Sequence, residues 1–193
     1  SSQINLTHTN GYILWRNNLI PTMGNNASMS AGIAIVHKNH DLTDALRTAM
    51  KAQKEAKEIL GRNAFVVKVI KGSGNIVSYG EKWKINDKRS IENITKILNN
   101  VKNSRDGEGI SMSFFQSVFD DLNKLKHENV DMIKSILKLK LKRHSSMKDK
   151  EKKKEFIKER ENLFSFVVEN SKNLEALSSF FLLLRFLATG GKR

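Results

Sequence analysis

Two apolar runs constrain this chain more than any other feature. "AGIAIVH" (Ala31–His37) and "AFVVKVI" (Ala64–Ile70) are short and continuous, the mark of strands buried on both faces. Between them Leu42, Ala45, Leu46, Ala49, Ala52, Gln53, Ala56 and Leu60 recur with a helical period and line one face. Asp41 is placed to cap that helix, with Asp44 adding negative charge to its first turn. Gly61 suits the left-handed residue that ends it, and the small alanines predict close packing on a sheet. "KGSGN" (Lys71–Asn75) is turn material, and "IVSY" (Ile76–Tyr79) returns as a third strand. The order is β-α-β-β. A hairpin after a crossover suits the second half of a ferredoxin-like palm. "GYILW" (Gly11–Trp15) adds a further strand or hairpin arm.

Beyond Asn86 no stretch alternates with period two. Ser90 can cap a helix carrying Ile91, Ile94, Ile97, Leu98 and Val101, and "RDGEG" (Arg105–Gly109) breaks it. Phe114, Phe115, Val118, Phe119, Leu122 and Leu125 make the next stripe. Further stripes run through Val130–Leu137, Phe156–Val167 and Leu174–Leu187. These predict four or five helices in a small bundle. The expected fold class is therefore α+β: a ferredoxin-like palm portion (β-α-β-β) over 1–86, followed by an all-α helical bundle over 87–193. The sole proline is Pro21, so the link near Lys84–Arg89 is expected to be short and held by contacts.

The chain has 193 residues and no cysteine, which excludes disulfides and thiolate metal sites and fits a reducing, cytoplasmic setting. No apolar run approaches the ~20 residues of a membrane span, so no membrane partner is expected. The start, "SSQINLTHTNGY", lacks the basic and apolar regions of a signal peptide. It also lacks an initiator Met, and the chain is expected to be a fragment. The net charge is +14, from 34 Lys+Arg against 20 Asp+Glu, and makes a polyanion the expected partner. Half of that excess lies in Lys138–Arg160, with 11 basic and 4 acidic residues. Lys138, Lys140, Lys142, Arg143, Lys152, Lys153 and Lys154 are the candidate contacts to RNA or a neighbouring subunit. The same run also fits a solvated helix face or a linker.

Lys57 falls beside Leu46, Met50 and Gln53 on a helical wheel, at the edge of the apolar face. Two readings stand: a snorkelling lysine with its stem on the core, or a point charge leaning toward phosphate. Arg62 lies just past the helix end, where a cation also complements the negative helix terminus. In "SMSAGI" (Ser28–Ile33), Gly32 lets a ligand or another backbone come close, and Ser30 offers a hydroxyl. "HKNHD" (His37–Asp41) has His-x-x-His spacing, but His8, His127 and His144 bring no carboxylate context. No metal site, P-loop, nucleophile elbow or paired metal-binding carboxylates are read from this chain, and no catalytic residue is assigned.

"SAGIAIVHKNHDLTDALRTAMKAQKEAKEILGRNA" (Ser30–Ala64) resembles the second palm of the large subunit of type III CRISPR effector complexes. That subunit is the CRISPR polymerase-cyclase, and the likeness is to its type III-B form. The shared features are the Ser-Ala-Gly-Ile strand, the His-Lys segment, the Ala- and Lys-rich helix, and the Gly-Arg-Asn-Ala ending. That ending is also similar to diguanylate cyclases. The likeness continues through "KGSG" and Trp83 to an all-helical end, where "FFLLLRFLATGG" is similar to the family's last helix. Four residues separate Lys57 from Arg62 here, and three in the cyclases.

The resemblance implies that two ATP molecules bind between paired palms and are joined into cyclic oligoadenylates when target RNA is bound. It implies nucleotide contacts at Ser30, Gly32, Lys57 and Arg62. A divalent metal, Mg or Mn, would be held by an upstream Gly-Gly-Asp-Asp hairpin that this chain lacks, so the chain alone should be inactive. Implied partners are ATP, CRISPR RNA, target RNA, and the small and backbone subunits of the effector. Two other readings remain open at this point. One is a degenerate cyclase-like module that senses nucleotide. The other is a basic helical RNA-binding or assembly protein whose β-rich half is scaffold.

Overall fold

The computed structural model describes residues 7–9, 12–15, 18–21, 28–86, 88–103, 108–125 and 129–189. The protein is a mixed α+β chain. Three short strands, β1 (Thr7–Thr9), β2 (Tyr12–Trp15) and β3 (Asn18–Pro21), form an antiparallel meander that takes in the "GYILW" segment. Then come β4 (Ala31–Ile35), α1 (Leu42–Glu58), β5 (Ala64–Ile70) and β6 (Ile76–Lys82). Strand β5 is central. It pairs in parallel with β4, Ala31 opposite Phe65, and antiparallel with β6, Ala64 opposite Lys82.

The expected β-α-β-β order is present, with one difference from a ferredoxin-like half. There, a strand separates the two parallel ones. Here β4 and β5 bond directly to each other. Apolar strands must satisfy their backbone groups, and no other described strand is available to lie between them.

A tight hairpin, β7 (Lys84–Ile85) with β8 (Lys88–Arg89), links the sheet to α2 (Ser90–Asn103). The Ser90 hydroxyl at the start of α2 donates to the Lys82 carbonyl at 2.7 Å, tying helix to strand. Of the expected break at Arg105–Gly109, residues 104–107 lie outside the described residues. Beyond it lie β9 (Gly109–Ile110), α3 (Ser113–Leu122), α4 (Val130–His144), β10 (Ser145–Ser146), α5 (Lys150–Asn170) and α6 (Leu174–Thr189). The candidate run 138–160 thus folds into a helical hairpin, since α4 and α5 pack on each other. The β9–β10 ribbon holds its bend, with Ser145 opposite Ile110.

Alternation divides the sheet into two faces. Val66 and Ala64 meet Ala52 and Ala56 of α1. Phe65, Val67 and Val69, with Val77 and Tyr79 of β6, face the other helices and join one continuous core. Tyr79 and Phe180 of α6 meet with ring centroids 5.0 Å apart and planes tilted by 51°. Five phenylalanines, Phe114, Phe115, Phe164, Phe180 and Phe181, are fully buried at the centre. Each contributes about 2–3 kcal/mol of transfer free energy. The sheet is therefore a shared wall, with α1 on one side and the C-terminal helices on the other.

Candidate functional site

Helix α1 and its exit set out most of the expected site. Asp41 caps the helix as expected, accepting from the Asp44 amide at 2.8 Å. The apolar face differs from expectation. Thr48, Ala52 and Ala56 are buried, whereas Leu42, Leu46 and Met50 are 71%, 57% and 71% exposed. A Cβ on Gly32 would meet the Ala49 carbonyl and the Gln53 amide at 2.2 Å, so this side of α1 lies over β4. Glu55, on the other side, pairs with Lys68 of β5. At 100° per residue, Leu42, Leu46, Met50, Gln53 and Lys57 run outward past Ala49. They overhang the outer edge of β4, which no described strand pairs. Ile33 of β4 is 41% exposed. Lys57 is exposed among these residues.

Read from sequence, Gly32 admits a ligand or another backbone, and the approach is made by α1. Its missing side chain is used for helix–strand packing, which leaves a nucleotide only its backbone. Ser30 is half-buried just before β4, where the Trp83 indole N–H donates to the Met29 carbonyl at 2.8 Å.

Gly61 adopts φ +68°, the left-handed geometry expected at the helix end. Arg62 and Asn63 follow it at +62° and +48°. Two consecutive non-glycine residues in this region store roughly 1–2 kcal/mol each, and three contacts hold them there. The Arg62 amide reaches back to the carbonyls of Ala56 and Lys57 at 3.1 and 3.2 Å. Lys82 Nζ donates to the carbonyls of Gly61 and Arg62 at 2.8 and 2.6 Å. The Trp83 amide donates to the Asn63 carbonyl at 3.2 Å. A second lysine arrives from the α5–α6 turn, where Lys172 Nζ lies 3.4 Å from the Ile59 carbonyl. Lys57 and Arg62 therefore share one helix end with Lys82 and Lys172, which sequence reasoning missed. Lys82 was hidden within a strand, and Lys172 comes from a turn more than a hundred residues away.

The basic run divides by partner. Lys138 pairs with Glu161 at 3.2 Å and Lys154 with Glu151 at 2.9 Å. Lys140 is held by Asp121 at 2.8 Å and the Ser117 hydroxyl at 2.6 Å. Lys142, Arg143 and Lys152 are exposed and Lys153 half-buried, and none of the four makes an ion pair among the described residues. Two clefts lie away from the end of α1. One, of about 210 Å³, runs between α4 and α5 beside Lys138 and Phe164. The other, of about 460 Å³, lies between the end of α3 and the start of α6.

His40 Nε2 donates to the Asp44 carboxylate at 2.8 Å, in the first turn of α1. Among the described residues no three His, Asp or Glu side chains converge to hold a metal, so those residues do not fit one by themselves. On the far face of the sheet, the Tyr79 hydroxyl donates to Glu81 at 2.7 Å. Burial raises the Glu81 carboxyl above its ordinary value, against lowering by the Tyr79 and Ser90 hydrogen bonds. Burial, with the Glu81 charge, also lifts the Tyr79 phenol well above its usual value. His144 Nδ1 sits 3.2 and 3.1 Å from the Ser111 and Ser113 hydroxyls. Partial burial, then Lys140 and Arg143, lower its pKa. No described helix is long and apolar enough to cross a membrane. No protein-family model matches the chain, and no curated protein matches it.

Proposed function

We propose that this chain is the C-terminal part of the large subunit of a type III CRISPR effector complex. In this reading β4, α1, β5 and β6 are part of a ferredoxin-like palm that binds ATP for cyclic oligoadenylate synthesis. The helices that follow form a bundle that assembles with the small and backbone subunits and with CRISPR and target RNA, in cytoplasmic antiviral defence. The observation that carries the reading is an unfinished sheet. The outer edge of β4 is unpaired among the described residues, and an apolar stripe of α1 overhangs it. An exposed strand edge beside an apolar overhang is a surface built for more sheet. Lys57 and Arg62 lie at the end of α1 beside this wall, the place the resemblance assigns to phosphate.

The metal belongs to the Gly-Gly-Asp-Asp hairpin of the remaining palm, where it would stabilise charge developing at the phosphoryl group. This chain's part is to bind and orient: Lys57 as a mobile point charge, Arg62 as a fork. The experiment joins the chain to a palm bearing that hairpin, with guide and target RNA, ATP and Mg or Mn. Cyclic oligoadenylate should form there and not with the chain alone. Lys57→Ala should lower its rate about tenfold, the loss of one charged hydrogen bond. Leu46→Asp with Met50→Asp should abolish assembly. Full activity in both variants would refute the reading.

Lys142, Arg143 and Lys152, exposed and without an ion pair among the described residues, favour a nucleic-acid backbone as partner of the helical hairpin, where cations add affinity without sequence preference.

A further inference from the structure

A cluster of two hydroxyls and an imidazole stands where α4 ends beside the start of α3. The Ser111 and Ser113 hydroxyls lie 2.8 Å apart. His144, the last residue of α4, places Nδ1 3.2 Å from the first and 3.1 Å from the second. The β9–β10 ribbon brings these distant residues together. The Ser111 amide donates to the His144 carbonyl at 2.9 Å, next to the pair of Ser145 with Ile110. The His144 ring also meets the buried Phe114 ring edge to face, with centroids 6.2 Å apart. Backbone and ring contacts thus hold the imidazole in place before any substrate arrives.

Partial burial, Lys140 and Arg143 all favour the neutral ring. With its proton on Nε2, Nδ1 accepts, and the hydroxyl chain runs from Ser111 to Ser113 to Nδ1. That is a serine beside a general base. Ser113 is exposed and Ser111 half-buried, so Ser113 Oγ is the oxygen a substrate can reach. Ser113 is also the first residue of α3, and Met112 before it supplies no side-chain cap. The positive end of that helix is left to stabilise an anion forming beside Ser113.

We propose that Ser113 is a nucleophile, that His144 is its general base, and that the pair accepts the acyl group of a carboxylic ester. Ser113 Oγ bonds to the ester carbonyl carbon as its proton passes to His144 Nδ1. The tetrahedral intermediate collapses, its bond to the alcohol oxygen breaks, and the proton leaves with the alcohol. Water then attacks the acyl-serine and gives its proton to the same nitrogen. The carboxylic acid departs as Ser113 regains that proton. An ester suits the site because the charge that develops is a single oxyanion, which one helix end can meet. Among the described residues no carboxylate pairs with His144, so turnover should be slower than that of a full triad. This activity does not depend on the effector-complex reading.

The test treats the 193-residue chain with diisopropyl fluorophosphate, which loses fluoride to an activated serine, and maps the adduct by mass spectrometry. A single diisopropylphosphoryl group should appear, on Ser113, and Ser113→Ala should remove it. His144→Gln keeps a hydrogen-bond acceptor but takes up no proton, and should slow labelling about a hundredfold. Ser135→Ala, at an exposed serine of α4 whose hydroxyl donates to the Asp131 carbonyl, should label like wild type. Circular dichroism checks the fold of each variant. If His144→Gln unfolds, the exposed Ser113→Ala decides the matter. p-Nitrophenyl acetate then tests the acyl class: the wild-type chain should release nitrophenolate faster than Ser113→Ala. No adduct, an adduct on another residue, or wild-type labelling of a folded His144→Gln chain would overturn the proposal. Labelling of Ser113 without Ser113-dependent release of nitrophenolate would overturn the ester assignment.

Discussion

Gly32→Ala separates packing from ligand access at the glycine of β4. The new Cβ would stand 2.2 Å from the Ala49 carbonyl and the Gln53 amide, and 2.9 Å from the Ala52 carbonyl carbon. All three neighbours are helix backbone and cannot turn aside as a side-chain tip would. Helix α1 must therefore lift by roughly an ångström, which loosens Ala52 and Ala56 from Ala64 and Val66. Overpacking of this kind costs about 3 kcal/mol, at the upper end of its usual range because backbone must move. For a chain of this length that lowers Tm by about 6–12 °C. The assay is thermal and urea unfolding followed by circular dichroism, with Gly72→Ala as control, since a Cβ there meets nothing within 4 Å. Gly72→Ala should leave Tm unchanged. A Gly32→Ala chain of wild-type stability would refute the packing argument. If that stable chain also lost affinity for nucleotide, Gly32 would be a ligand position after all.

The other predictions concern the core, pH and the basic hairpin. Phe181→Ala removes a fully buried ring that contacts Phe114, Phe115, Phe164 and Phe180. It should cost about 4 kcal/mol in urea unfolding. Glu81 has a folded-state pKa raised chiefly by burial, so the folded chain binds its proton more tightly than the unfolded one. Its contribution to stability should therefore decline as pH rises from the ordinary carboxyl range through the raised value. Glu81→Gln should flatten that part of the pH profile and raise the urea midpoint at neutral pH relative to wild type. Lys142→Gln, Arg143→Gln and Lys152→Gln together should weaken single-stranded RNA binding and reduce its salt slope by about 2. Lys138→Gln, whose lysine already faces Glu161, should change the slope far less in the same filter-binding assay.

Much of the local structure was legible because it depends on neighbours along the chain. Asp41 caps α1 and Gly61 ends it, since each acts on groups within a few residues. The crossover and hairpin follow from two apolar runs and a Gly-rich turn. Side-chain exposure was not legible to the same degree. Leu46 and Met50 share the apolar face of α1 by period, yet the three-stranded sheet is too narrow to cover them. The run 138–160 reads as one basic block, and folding sorts it into lysines held by Asp121, Glu161 and Glu151 and cations left exposed.

The sequence by itself determined the order β4, α1, β5, β6 and the two ends of α1, because period, capping and turn chemistry act within one or two turns of backbone; it did not show the short β9–β10 ribbon, whose strands are 35 residues apart. It also determined a strong excess of positive charge. Only the tertiary structure decided what each of those groups meets. It set the backbone of α1 on Gly32, brought Lys82 and Lys172 to the turn that holds Arg62, and left the outer edge of β4 without a described partner. Those outcomes depend on which distant segments lie together, and that is settled by burying one core shared between the sheet and the helices.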